Sequence, residues 1–389
     1  MDIMQTGIVT LLKSAITGSG FPLPDDFDID AAYPVIRAHN ITALAYAGAL
    51  NCGIDQKKPA MQQLFQSYLR AFQLSQQQMR ALGRVFSAFN ESGIDYLPLK
   101  GCIMKPFYPQ PELRLMGDAD VLIREEQYDR IVPVIEALGF TEAKGAEHHF
   151  TWKSDCLELE LHKYLIKSDL MRCRDHFQNG WTHAEVSDGT RYAMDDVNTF
   201  AYLFTHFAEH YAFSGIGCRH VVDLWVYLRS HPQMDQDCLK AVLEKMDLWK
   251  FYQNIRKLIG VWFEEETPDE RTEFISQAIF ANGSWGSESN AALNKGVQDM
   301  GRKGSIALSR IKYIWDRLFP GAACLKGEYP ILRRHPWLMP VMVCRRIAEK
   351  TILNRAILDK HMRQLSLLNR NELKARREML EYVGLSADE

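Results

Sequence analysis

The sequence predicts an α+β protein, mostly helical overall, in which a small mixed-sheet core is flanked by helical regions at both ends. Apolar residues recur at helical spacing through about the first ninety positions. Short strand-like runs, bounded by glycine and by polar turns, are confined to about residues 96–165. Helical periodicity then returns from Val197 onward. A chain of 389 residues is long for one compact core, so three units are expected: a helical region over 1–90, a core over 91–190 and a helical region with a basic end over 191–389.

In the first region the spacing marks helices over residues 8–16, 31–50 and 61–89, with a break at 55–59. The pattern changes after Gly93: residues 96–99 and 118–123 read as buried strands, and 127–138 as an amphipathic helix that Gly139 ends. Strand-like runs follow at 140–143, 149–153 and 157–165, the last alternating apolar and polar residues with period two. Beyond about Asp195 only helices are expected, over 197–211, 218–229 and 239–257 and on to the end, with Pro320, Pro330, Pro336 and Pro340 marking loops.

Composition narrows the function classes. A 47% hydrophobic and 24% charged chain is neither disordered nor fibrous. No apolar run approaches the roughly 20 residues that span a bilayer, and the opening MDIMQTGIVTLLKS lacks the cationic start of a secretion signal, so a cytoplasmic location is expected. The eight cysteines are scattered without a CxxC pair, as suits buried thiols in a reducing compartment. The net charge of -3 hides an asymmetry, because residues 302–377 carry 18 Lys or Arg against 5 Asp or Glu. That basic end meets an anionic acceptor or partner, with Arg333, Arg334, Arg345 and Arg346 the leading contacts, or it is a set of solvated helix faces, or it docks on the protein's own acidic part.

The chemistry concentrates in the run MGDADVLI. Asp118 and Asp120 sit one residue apart on a strand, hence on one face, with backbones roughly 6 to 7 Å apart. Two acids this close are costly to bury unless a cation compensates them. The run LELELHKYL offers a third acid, since Glu158, Glu160 and His162 share one face of a later strand. If that strand neighbours the first, three oxygen donors suit Mg2+ or Mn2+ and leave sites for a triphosphate. Removing any one acid is then expected to leave the metal-free fold as stable as before, or more so. Upstream, PLKG places Lys100 and Gly101 at a strand-to-helix junction where backbone and a lysine can meet phosphate. Arg114 is either a phosphate contact or a partner of Asp118.

The segment LKGCIMKPFYPQPELRLMGDADVLI resembles the uncharacterised nucleotidyltransferase family of the DNA polymerase β-like nucleotidyltransferase superfamily. The likeness continues through ELELH, through HFAEHYAFSGIGCRHVVDLWVYL and through LFPGAACLKGEYPILRRHPWLMPVMVCRRI. It implies transfer of a nucleoside monophosphate from an NTP, ATP by default, with divalent metal held by Asp118, Asp120 and Glu160. Glu160 is preferred to Glu158 because the family's third acid precedes Leu-His. One departure is that Gly101 is followed by Cys102, where the wider superfamily has a second small residue, Gly or Ser. A catalytically weak nucleotide-binding adaptor is the alternative.

A rival reading comes from HFAEH, in which His206, Glu209 and His210 match the HxxEH pattern of inverted zinc peptidases. A helical wheel puts both histidines on the flank of an apolar stripe, beside the cleft where nucleotide or acceptor is expected, together with Arg219, His220 and Asp223. The acceptor itself, whether a small molecule, a sugar, a nucleic-acid end or a protein, is set by pocket shape and is not legible here.

Overall fold

A computed structural model of the chain describes residues 1–146, 148–166, 172–213, 215–283, 331–347 and 370–385, besides 315, 325 and 329. Helices α1 (Ile3–Thr17), α2 (Ile29–Ala38), α3 (Thr42–Asn51) and α4 (Pro59–Glu91) come first. The apolar run over 31–50 is divided because Asn40 adopts a left-handed backbone, with φ of 55°. Asp247, at φ 56°, likewise splits the run over 239–257 into α10 (Gln236–Lys245) and α11 (Trp249–Phe263).

The described residues form one sheet in the order β3-β4-β5-β2-β1-β7-β6. Its strands are β1 (Tyr96–Pro98), β2 (Asp118–Ile123), β3 (Thr141–Ala146), β4 (His149–Lys153), β5 (Glu158–His162), β6 (Ala184–Asp188) and β7 (Arg191–Met194). The sheet is mixed: β2 runs antiparallel to β1 but parallel to β5, and β1 runs parallel to β7. The hairpin β6–β7 departs from the sequence expectation. Its residues are mostly exposed at the sheet edge, so no apolar alternation advertises it.

Period two sorts the central strands into two faces. Ala119, Val121 and Ile123 of β2 and Leu159 and Leu161 of β5 pack with Leu82, Val85 and Phe89 of α4. Ile131 and Ile135 of α6 (Tyr128–Ala137) complete that cluster, and Gly139, at φ 87°, follows that helix's last turn. On the other face Leu97, Leu99 and Leu122 join Phe200, Tyr202 and Phe204 of α8 (Asp196–Phe213). The same cluster takes in Leu11 and Leu12 of α1, Val221 and Trp225 of α9 (Cys218–Ser230), and Trp262 of α11, so early and late helices share one apolar core.

Candidate active site

The second sheet face carries the acids. Across the parallel β2–β5 ladder Asp118 lies opposite Glu158 and Asp120 opposite Glu160. Glu158 turns aside to meet Lys153 Nζ at 2.7 Å. Glu160 stays in, with Oε2 3.4 Å from His162 Nε2 and Oε1 3.3 Å from His149 Nε2. The two strands are therefore neighbours, and Glu160 is the acid of β5 that stays beside Asp120.

Asp120 is only 2% exposed, and Lys100 Nζ donates to its Oδ1 at 2.6 Å. His162 Nε2 lies 2.8 Å from the same oxygen, and since a carboxylate only accepts, that nitrogen carries the proton. Burial pushes the Asp120 carboxyl up, but the Lys100 charge and the His162 bond outweigh it and hold the group well below the carboxylate range. His162 is pushed down by burial and, more strongly, up by its bonds to Asp120 and Glu160, for a net rise. Glu160 is raised by burial but ends lower than usual through the His162 bond. Asp118, exposed at the rim, is raised by partial desolvation and by the charges of Asp120 and Glu160. The two aspartates are thus inequivalent, and the expectation that removal of an acid spares the metal-free fold has electrostatic support at Asp118 but not at Asp120. Asp120 balances the Lys100 ammonium and accepts from His162, whereas Asp118 suffers repulsion from its acidic neighbours.

Lys100 reaches Asp120 because its backbone is bent into the left-handed region, with φ of 39° and ψ of -109°. Such a conformation in a residue other than glycine costs about 1–3 kcal/mol and persists only where the surroundings enforce it. Here Leu99 N donates to Asp120 O at 3.0 Å and Met104 N donates to Lys100 O at 2.9 Å. Gly101 has a packing reason as well as a position in the cavity wall. A Cβ there would meet Arg114 Nη1 and Met116 Sδ at 2.9 Å each. Cys102 faces the core, where burial pushes its thiol up to about 12, so it offers no thiolate.

Arg114 does not pair with Asp118. Its Nε and Nη2 donate to Asp223 Oδ1 and Oδ2 at 2.8 and 3.0 Å, a two-pronged bond to a residue of α9. Tyr108 Oη donates to the same carboxylate at 2.7 Å, and buried Lys105 Nζ donates to Arg114 O at 2.8 Å. Arg114 is thereby fixed to α9, with its remaining nitrogen toward Gly101. Among the described residues, Arg219, also on α9, has a 3.5 Å contact from Nη1 to Leu115 O, and its buried Nε has no hydrogen-bond partner. Burial and the neighbouring Arg114 charge both press on its guanidinium.

A cavity of about 370 Å³ joins these parts. Lys100, Gly101, Arg114, Asp118, Asp120, Glu160 and His162 line the sheet side, and His206, Glu209, His210, Arg219, His220 and Asp223 the side of α8 and α9. Burial and Arg219 push His220 down to about 3, so it is neutral. A larger groove of about 680 Å³ lies along α2 to α4, but its lining of Tyr33, Tyr46, Phe65, glutamines and Arg70 contains no carboxylate or imidazole. Among the described residues, metal-type donors converge in Asp120, Glu160 and His162 and in His148, His149 and His162. Neither group includes His206, Glu209 or His210, which weighs against the zinc-peptidase reading of HFAEH.

Two histidines of this region, His148 and His149, were not singled out by sequence. The adjacent pair at the start of a strand was a visible signal, but its pairing with His162 is not local. The expected basic surface is described only in part. The side chains of Arg333 and Arg334 lie outside the described residues, Arg345 stacks over Tyr329 at 5.8 Å, and Arg346 is 7% exposed and so is not a surface contact. No helix among the described residues is long and apolar enough to cross a membrane.

Comparison with known proteins agrees with this layout. A search of curated proteins and a search of solved structures each gave no significant match. A family model described as uncharacterised nucleotidyltransferase matches residues 25–264, which takes in α2 to α4, the sheet and α8 to α11. With that match over more than half its length, and with its acids and lysine gathered at one cavity, the chain belongs to the uncharacterised nucleotidyltransferase family.

Proposed function

We propose that this cavity transfers a nucleoside monophosphate from an NTP, ATP by default, to an acceptor hydroxyl or phosphate, using Mg2+ or Mn2+ held by Asp118, Asp120 and Glu160. The observation that carries the reading is the register of β2 and β5, which sets Glu160 beside Asp120 on the one sheet face open to the cavity. The donor set can accept a hard divalent ion: oxygens of Asp120 and Glu160 converge, and Asp118 lies two residues from Asp120 on the same strand face at the cavity. Such an ion, when bound, supplies Lewis-acid stabilisation of charge at the reacting phosphate.

The chain's own groups define the rest. Lys100 and Arg219 present cationic nitrogens from opposite walls, suited to the β- and γ-phosphates, which leave as pyrophosphate when the α–β phosphoanhydride bond breaks and the acceptor oxygen, its proton passing to water, bonds to the α-phosphorus. Arg114, bound to Asp223, positions the Gly101 turn and keeps α9 against the sheet. His206 and His210 stand where base or acceptor would lie. The basic end over residues 302–377 is our assignment for an anionic acceptor or partner.

Calorimetry with ATP and Mg2+, followed by transfer of labelled nucleotide to metabolite and protein pools, tests the reading. Metal-dependent binding that Asp118→Ala abolishes is expected, and undiminished binding in that variant would remove the site. One observation favours a second reading, a nucleotide-binding adaptor: Lys100 itself neutralises Asp120 and so competes with a metal ion. Nucleotide binding without transfer to any acceptor would select it.

A further inference from the structure

The imidazoles beside the carboxylates form a second donor set of different chemistry. His149 and His162 are direct partners on the antiparallel β4–β5 pair, so both side chains leave the sheet on the face that carries Glu160. His148 completes the group, its Nε2 2.9 Å from His149 Nδ1, and one ligating atom from each of the three imidazoles lies within 4.8 Å of the others. The His149 and His162 ring centres are 5.3 Å apart. Glu160 stands between the two sets, Oε1 toward His149 and Oε2 toward His162.

The donor types separate the two sites. Asp118 and Asp120 offer oxygen alone, which suits Mg2+. Three nitrogens and one shared carboxylate suit a borderline first-row ion, and such sets rank zinc far above magnesium. We propose that His148, His149 and His162, with Glu160 as a carboxylate shared with the Mg2+ set, bind a zinc-class transition-metal ion at a site that adjoins the Asp118–Asp120 pair. The site stands whether or not the chain transfers nucleotides, because none of its geometry depends on NTP. It is also separate from HFAEH, whose residues lie on α8 across the cavity.

The test uses the full-length chain stripped with a chelator and titrated with Co2+, whose visible absorption reports nitrogen ligation and low coordination number, and then with Zn2+. One cobalt per chain, displaced by zinc, is expected. His148→Gln and His149→Gln, which keep side-chain hydrogen bonding but ligate poorly, should each weaken cobalt binding at least about tenfold, with far-UV circular dichroism checking the fold. A His206→Ala/His210→Ala double variant should bind cobalt as the parent does. Asp118→Ala should also keep its cobalt while losing Mg-ATP binding, so failure of the nucleotide reading and failure of this one are told apart. Absence of cobalt binding in the folded parent, loss of it in the His206/His210 variant, or loss of it in Asp118→Ala would each overturn the proposal.

Discussion

Replacing Asp120 by alanine removes the one carboxylate oxygen on which Lys100 and His162 both converge, at 2.6 and 2.8 Å. The side chains of Asp120, His162 and Lys100 are 4%, 5% and 19% exposed, so the Lys100 ammonium and the His162 N–H left behind are largely buried. Breaking a buried pair from one side costs about 3–5 kcal/mol. Two relaxations favour the lower end, since His162 can shed its proton and Lys100 has a short route to water. With about 2–4 °C of melting shift per kcal/mol in a large domain, the metal-free Asp120→Ala protein should melt roughly 6 °C or more below the parent. Asp118→Ala should melt at or slightly above the parent, because the charged form of Asp118 is already disfavoured by its surroundings. Both variants should lose Mg-ATP binding. Thermal melts in chelator at neutral pH, paired with calorimetry, read the two effects separately. Equal melting of the two variants, or an Asp120→Ala protein as stable as the parent, would refute the ion-pair reasoning.

Four further outcomes follow from the same geometry. Asp223→Ala leaves Arg114 buried without its two-pronged partner and should cost about 3–5 kcal/mol in a urea titration; an unchanged midpoint would show that α9 is held by apolar packing alone. Gly101→Val forces Arg114 or Met116 to move and should cost about 1–3 kcal/mol, and Met116→Ala should restore part of that loss if the overlap is the cause. His162 is pushed down by burial but raised overall by Asp120 and Glu160, so its contribution to metal-free stability is full below the ordinary histidine value of 6.5 and is lost as pH rises through the higher folded value; Asp120→Ala should flatten that part of a melting-versus-pH profile. Arg219→Ala should weaken ATP binding by about tenfold, equivalent to roughly 1.5 kcal/mol for a charged hydrogen bond, and should lower its salt dependence; unaltered affinity would remove Arg219 from the phosphate wall.

Local pattern determined much of this protein. The span of β2 over Asp118–Ile123 was legible as a short buried strand and that of β4 over His149–Lys153 as a strand-like run. The placing of Asp118 with Asp120, and of Glu160 with His162, on single strand faces follows from the two-residue period alone. Helix positions followed apolar spacing, and their divisions at Asn40 and Asp247 escaped notice because a left-handed residue leaves the hydrophobic pattern intact. The polar hairpin β6–β7 left no pattern to read, since an exposed edge needs no apolar face.

Tertiary structure alone decided which neighbours those faces acquired. Sequence allowed Glu158 or Glu160 as the third acid; Lys153, on the adjacent strand, draws one away, and the parallel ladder sets the other beside Asp120. Arg114 was open to phosphate or to Asp118, yet its partner is Asp223, 109 residues along the chain. His149 met His162 only when β4 folded back on β5. Periodicity depends on a residue's own few neighbours, whereas strand register and ion-pair choice depend on segments brought together by burial of the common core, and no short window of sequence contains both partners.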